Sequence, residues 1–220
     1  MSTKMTFDLN LCNSIFKENL NSLLKISQDN YTLIKNQNQK YLSLIEKHSL
    51  PGNQENNEFS EFTHLSNIDW ILFNSIYIGI YSHFERHMFA LARIIEYRSS
   101  SEIKINNFSG NGVVKFFNYI RLVGKIQSIT PDKDPWQQVI LHQKVRNLLV
   151  HNGGLMLNDI SLKIEKHECF KFLENNNVNM AGSFGHIRIK ELDIIDSIIS
   201  TFKEVSDRLT YEIQAKYPEN

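Results

Sequence analysis

DPWQQVILHQKVRNLLVHNGG, residues 134–154, carries the signals of a complete helix and sets its polar residues where a solvated helix would not. Asp134 can cap the N-terminus, Pro135 suits the first turn and Gly153 can close the far end. At about 100° per residue, Leu141, Val145, Leu148 and Leu149 gather on one face and can anchor the helix in a core. On the opposite face Trp136, Val139, Ile140 and Val150 surround Gln143, Arg146, Asn147 and His151. One cation, two amides and an imidazole are thus set into a second apolar surface, and a helix apolar on both sides is expected to be covered on both sides. Buried polar groups need partners. A fixed cation beside the side chain that titrates near neutrality points to a site that handles an anion.

Length and composition bound what surrounds this helix. A chain of 220 residues fits one domain with a core of its own, expected to consist of an N-terminal helical extension over 1–50 and a main body over 69–215. Hydrophobic residues at 41% and charged residues at 22% are ordinary for a globular protein, and no long apolar run argues for a membrane span. The opening MSTKMTFDLNLCN has no apolar stretch of the signal-peptide kind, so the expected location is the cytoplasm. Cys12 and Cys169 stand far apart and neither belongs to a CxxC pair, which supports neither a disulfide framework nor a cysteine zinc site. A formal net charge of zero removes the global basic excess of a nucleic-acid coating protein, so nucleic acid would have to be met at a local site.

Apolar residues recur at helical spacing from Thr6 to about His48, and Pro51 and Gly52 are expected to stop that helix. The Asn-rich run PGNQENNEFSEF, residues 51–62, reads as a loop, after which Asp69 opens a long helix to about Tyr97 with a broad apolar arc. A shorter helix is expected from Val113 to about Lys125, then the Asp134 helix. Beyond Gly154, Leu155–Leu157, Ser161–Ile164, Phe170–Leu173 and His186–Ile189 alternate like short strands of a small hairpin, and Glu191 to about Ala215 is helical again.

Arg146-Asn147-x-x-x-His151, followed by Asn152 and Gly153, resembles the RNxxxH form of the signature of the HEPN superfamily, the helical higher-eukaryote and prokaryote nucleotide-binding domains. The motif match covers Arg146 to Gly153, and a looser architectural likeness extends over 69–215. The long N-terminal helix and the hairpin before the last helix depart from the family's pattern. The expected fold is therefore mainly α, a HEPN-like helical bundle with a long N-terminal helix and a small β-hairpin before the last helix.

What the resemblance implies is metal-independent RNA cleavage, with no cofactor, by two such motifs brought together, usually across a dimer. One copy here implies a homodimer with Arg146 and His151 of each chain near a two-fold axis. The biological setting it implies is the toxic component of a defence or toxin–antitoxin system, with an antitoxin or partner effector protein as a further partner. The alternative is a HEPN-like module without catalysis that binds a nucleotide or a protein, and a third reading is a structural helical dimer. The chemistry fits the first. A guanidinium can hold a phosphate through two parallel hydrogen bonds, and a histidine can take a proton from a ribose 2′-OH or give one to the 5′-oxygen. Asn147 lies about 40° from His151 on the wheel, where its amide can orient the imidazole or a phosphate oxygen. Arg146 and His151 are about 140° apart, so they share a site only if the last turn loosens or a partner brings a second copy.

Supporting roles fall to Gln143, Asn152 and Glu85. Glu85 sits on an apolar arc with Trp70, Tyr81, Met88 and Ala92, which makes it the expected partner of Arg146 unless it reaches solvent. On a purely structural reading Arg146 pairs with a core carboxylate and His151 stabilises the carbonyl end of its helix. His83 and His87 are one turn apart, but Glu85 lies on the other side of the helix, so they read as a surface pair rather than a zinc helix. His142 is expected at a solvated border.

Overall fold

In this computed structural model, which describes residues 8–47, 55–99 and 101–218, the chain is mainly α. Among the described residues there are six α-helices, α1 (Leu9–Lys47), α2 (Glu55–Arg98), α3 (Gly112–Leu122), α4 (Trp136–His151), α5 (Phe170–Asn175) and α6 (Asp193–Lys216). One hairpin, β1 (Asn179–Ala181) with β2 (His186–Arg188), precedes the last helix. The long N-terminal helix and the hairpin before α6 are as expected.

Local chemistry explains the helix ends. Asp8 accepts the Leu11 backbone N–H at 3.0 Å, as a residue capping α1 does. Asp193 and Asp196 stand in the first turn of α6 and Lys216 in its last, each charge opposite to the helix end it faces. The expected stop at Pro51 and Gly52, and the expected first residue of α1 at Thr6, fall outside the described residues.

Three expectations are corrected. The stretch taken as a loop up to Phe62 is helical from Glu55, so α2 starts fourteen residues before Asp69. Its Asn, Glu and Ser residues cost only tenths of a kcal/mol each in a helix, and no Gly or Pro stands between Gly52 and Asp69 to break it. Phe170–Leu173 is not a strand but the start of α5, with the adjacent Phe172 and Leu173 both buried. Of the other strands, Leu155 makes a single bridge to His186, Ser161–Ile164 runs through turns into a short 3-10 helix, and the true partner of β2 is Asn179–Ala181. Short apolar runs do not distinguish strand from helix, and Asn179–Ala181 has no alternation to announce it.

The chain divides into two compact units, one formed by Met1–Asn21, Gly79–Gln143 and Ile198–Asn220, the other by Ser22–Ile78 and Lys144–Ser197. The first holds an aromatic core in which Phe84 stacks on Phe202 at 3.9 Å and Phe117 on Trp136 at 3.6 Å between ring centroids. The loop after α3 is tied down by Glu212, whose carboxylate accepts the backbone N–H groups of Gln127 and Ser128.

In the second unit the buried side chain of Asn74, on α2, acts as a piece of strand. Its Nδ2 donates to the Ile187 carbonyl at 3.1 Å and its Oδ1 accepts the Ile189 N–H at 3.1 Å. The amide satisfies an acceptor in β2 and a donor just after it, both buried with it. Asn74→Ala strands both, at roughly 1–3 kcal/mol each. Thermal unfolding of that variant is expected to show a loss of about 2–6 kcal/mol; a melting temperature within a degree of the parent would mean that the bonds are replaced by water.

Candidate functional site

α4 is regular to its end. The helix runs through His151, the Asn152 N–H donates to the Leu148 carbonyl at 3.1 Å, and the Gly154 N–H reaches the same oxygen at 2.9 Å. Gly153 at φ +60° and Gly154 at φ +82° make this turn possible, because an L side chain is strained there. The expected closure by Gly153 is thus seen. At the other end the helix begins at Trp136, and the Asp134 carboxylate takes the side-chain amide of Gln138 at 3.4 Å.

The two faces of α4 come out differently from the expectation that both would be covered. Trp136, Val139, His142, Val145 and Leu148 are buried, a ridge at three-residue spacing. Trp136 and Val139 therefore belong to the core and do not frame the motif. Over the last two turns the motif side is open. Asn147, His151 and Asn152 are exposed, Val150 is 42% exposed, and Arg146, Gln143 and Ile140 are half-buried. Asn147, His151 and Asn152 are surface residues, with Arg146 half-buried beside them.

Within the second unit the Arg146 guanidinium donates from Nη1 to the Asn147 Oδ1 at 3.1 Å. This bond ties the cation to the motif's own asparagine, which lies one turn before His151. The carbonyl end of Asn147 is thereby directed at Arg146. Because α4 does not loosen before His151, Arg146 and His151 leave the helix axis about 140° apart.

Glu85 and Gln143 fall in the first unit, whereas Arg146, Asn147, His151 and Asn152 fall in the second. Glu85 is half-buried, with Oε1 2.9 Å from where a Cβ on Gly112 would stand. Gly112 is the first residue of α3 and has φ +56°, so the carboxylate lies at the positive end of a helix dipole and against a backbone that only glycine fits.

Two histidines depart from their expected settings. His87 is not on the surface but 4% exposed, stacked on Phe16 at 4.0 Å. Ser206 Oγ donates to Asn13 Oδ1 at 2.6 Å, so the 2.6 Å contact between Ser206 Oγ and His87 Nε2 has the imidazole as donor, leaving Nδ1 to accept from the Cys12 thiol at 3.7 Å. Burial lowers His87 to about 3 against a small opposing pull from Asp207, and burial raises the Cys12 thiol, with Asp8 adding to it. A neutral thiol beside a neutral imidazole is the reverse of the thiolate–imidazolium pair that nucleophilic cysteines need. His142 is fully buried and edge-on to Phe202 at 5.8 Å, and burial lowers it also to about 3. Both histidines are core residues. Among the described residues no three His, Cys, Asp or Glu side chains gather as a metal site, and no helix is long and apolar enough to cross a membrane.

One group near the motif was not read from the sequence. The Ile187 N–H donates to the Gly154 carbonyl at 2.8 Å, and the His186 ring lies on Gly154, with Cδ2 and Nε2 3.2 and 3.3 Å from where a Cβ would stand. β2 is thereby fixed to the exit of α4. His186 meets Trp70 edge-on at 4.8 Å, and the Arg188 guanidinium stands 5.6 Å over the same indole. The run HIRIK, residues 186–190, held the signal: Ile187 and Ile189 are buried, and the three basic residues alternate with them.

Comparison of the chain with protein-family models, with characterised proteins and with solved structures finds no match.

Proposed function

We propose that the protein is a metal-independent RNA endonuclease that acts as a homodimer, with a composite site built from Arg146, Asn147 and His151 of both copies. The observation that carries the reading is the RNxxxH motif on the open side of an α-helix that stays regular through His151. One helix cannot bring its own Arg146 and His151 onto one phosphate, whereas a second copy across a two-fold axis can supply the missing half.

In this mechanism the 2′-oxygen attacks the adjacent phosphorus and the bond from phosphorus to the 5′-oxygen breaks. One His151 takes the 2′-OH proton and the His151 of the second copy protonates the leaving 5′-oxygen. The Arg146 guanidinium holds the phosphate oxygens as charge builds on them. Products are a 2′,3′-cyclic phosphate and a 5′-OH, and no water is consumed in this step. The same reading makes the protein the toxic component of a defence or toxin–antitoxin system, held in check by a partner protein.

Labelled RNA incubated with purified protein in EDTA is the test. Cleavage that spares DNA and leaves those two ends is expected; a requirement for added magnesium, or 5′-phosphate ends, would assign the chemistry to other residues. Assembly is tested separately. Sedimentation at micromolar concentration is expected to show a dimer whose interface buries at least about 1,000 Å² and includes Val150 or Ile140. Val150→Glu places a charge on an already open position, so it is expected to yield a folded monomer without cleavage activity. A parent protein that sediments only as monomer defeats the composite site.

A further inference from the structure

We propose that Trp70, His186 and Arg188 form a subsite that holds one nucleotide of a single-stranded RNA beside the Arg146–His151 motif, the rings against the base and the guanidinium on its phosphate. This rests on the nuclease reading for its substrate class, but its geometry stands independently.

Aromatic faces paired with cations are how proteins hold single strands without reading sequence, and each stacked base is worth about 1–3 kcal/mol, or roughly 5- to 150-fold in affinity. The three side chains have that composition and lie together: His186 edge-on to Trp70 at 4.8 Å, Arg188 over Trp70 at 5.6 Å, and Arg188 Nε 3.5 Å from His186 Nδ1. All three are half-buried, so they are partly open to solvent. They are not what fills the core of this unit, because Ile187 and Ile189 on the opposite face of the strand are fully buried.

The charge is suited to a phosphate. Asp69 is the neighbouring anion; its Oδ1 accepts the Trp70 N–H at 2.5 Å and its Oδ2 stands 3.7 Å from Lys190 Nζ. Both Arg188 and Lys190 act on that one carboxylate.

Position and rigidity make the group a subsite of the motif. Gly154 follows His151 by three residues, so their Cα atoms are within roughly 11 Å, and Gly154 is the residue on which His186 packs. Asn74 holds the backbone at Ile187 in β2 and at Ile189 just after it, and Trp70 lies one turn before Asn74 on α2, on the same side. The platform is therefore set before any ligand arrives, which removes part of the ordering cost of binding.

The experiment measures anisotropy of a short fluorescein-labelled, mixed-sequence single strand with 2′-O-methyl sugars, which binds but offers no 2′-OH nucleophile, together with cleavage kinetics on the unmodified RNA. Trp70→Ala and Arg188→Ala are each expected to weaken binding about tenfold and to raise KM with kcat changed less than about twofold, while Trp70→Phe stays near the parent. Arg188→Ala should also reduce the slope of log affinity against log salt by about 0.7, one phosphate on a single strand. Folded variants that bind as the parent does overturn the proposal. Should Trp70→Ala not fold, Arg188→Ala and Arg188→Gln decide alone. Loss of binding in these variants with no cleavage by the parent would uphold the subsite and defeat the nuclease. Cleavage with an unchanged KM in every folded variant would defeat the subsite and uphold the nuclease.

Discussion

RNA cleavage by Arg146→Ala protein is expected to fall by roughly 10²-fold or more, the usual cost of removing one group that stabilises charge in a transition state. Arg146→Lys should restore little, because an ammonium is a point charge and cannot make two parallel bonds to one phosphate. The geometry adds a second reason. Arg146 is held by its Nη1 bond to Asn147 Oδ1 at 3.1 Å, and a lysine making that bond would have the same single nitrogen with which to meet the phosphate. On the proposed mechanism His151→Ala should be as damaging, since it would remove the proton carrier from both halves of the composite site. Asn147 and His151 are exposed, so alanine there opens no cavity and the melting temperature should stay within a few degrees of the parent. Single-turnover cleavage of labelled RNA, read beside a thermal melt, separates the two effects. Full activity in a folded His151→Ala dimer would remove the histidine from the mechanism, and activity lost only together with stability would make the motif structural.

The largest effect on stability should come from acid well above the range in which carboxylates titrate. His87 and His142 are both held at about 3 in the folded protein by burial, whereas an unfolded chain presents histidines near 6.5. Their folded-state values are depressed, so between about 3 and 6.5 the unfolded state binds more protons and stability rises with pH. The contribution is fully present above about 6.5 and is lost as pH falls toward 3. Each group costs roughly 1.4 kcal/mol per pH unit, so the pair removes on the order of 4 kcal/mol by about pH 5. That is a large part of the 5–15 kcal/mol a domain typically has. Asp69 and Asp196, raised chiefly by burial, act in the opposite direction, but their stability appears only in the lower carboxylate range. Denaturant unfolding should give a slope close to two protons near pH 5 that falls to about one at pH 6.5 and flattens above it, with the low-pH slope halved in His142→Phe. A flat profile in the parent would mean that neither imidazole needs to stay neutral.

The long helices were legible because their burial repeats at the helical period over many turns. α1, α2, α4 and α6 were all readable in this way, and so was the glycine exit of α4. What failed were short or polar segments. Phe170–Leu173 offers too few residues to separate period two from period 3.6, and the start of α2 is rich in residues that tolerate either loop or helix. The motif was readable as residue types at a spacing, but its exposure was not. The helical wheel places Trp136 and Val139 on the motif face, although their three-residue spacing with His142, Val145 and Leu148 makes them one buried ridge. The same ridge could have placed His142 inside. Glu85 against Gly112, and Trp70 against His186, are contacts between residues distant in sequence, and no periodicity reports those.

The amide of Asn74 has one more consequence. A two-stranded ribbon ordinarily leaves two rows of unpaired N–H and C=O groups, a template on which another chain can add a strand and begin aggregation. β1 occupies one side of β2, and on the other side the Ile187 N–H is taken by Gly154 and the Ile187 carbonyl by Asn74. The central residue of this strand therefore has neither backbone group left to offer to a stranger, and an asparagine on α2 together with the glycine exit of α4 blocks strand addition there.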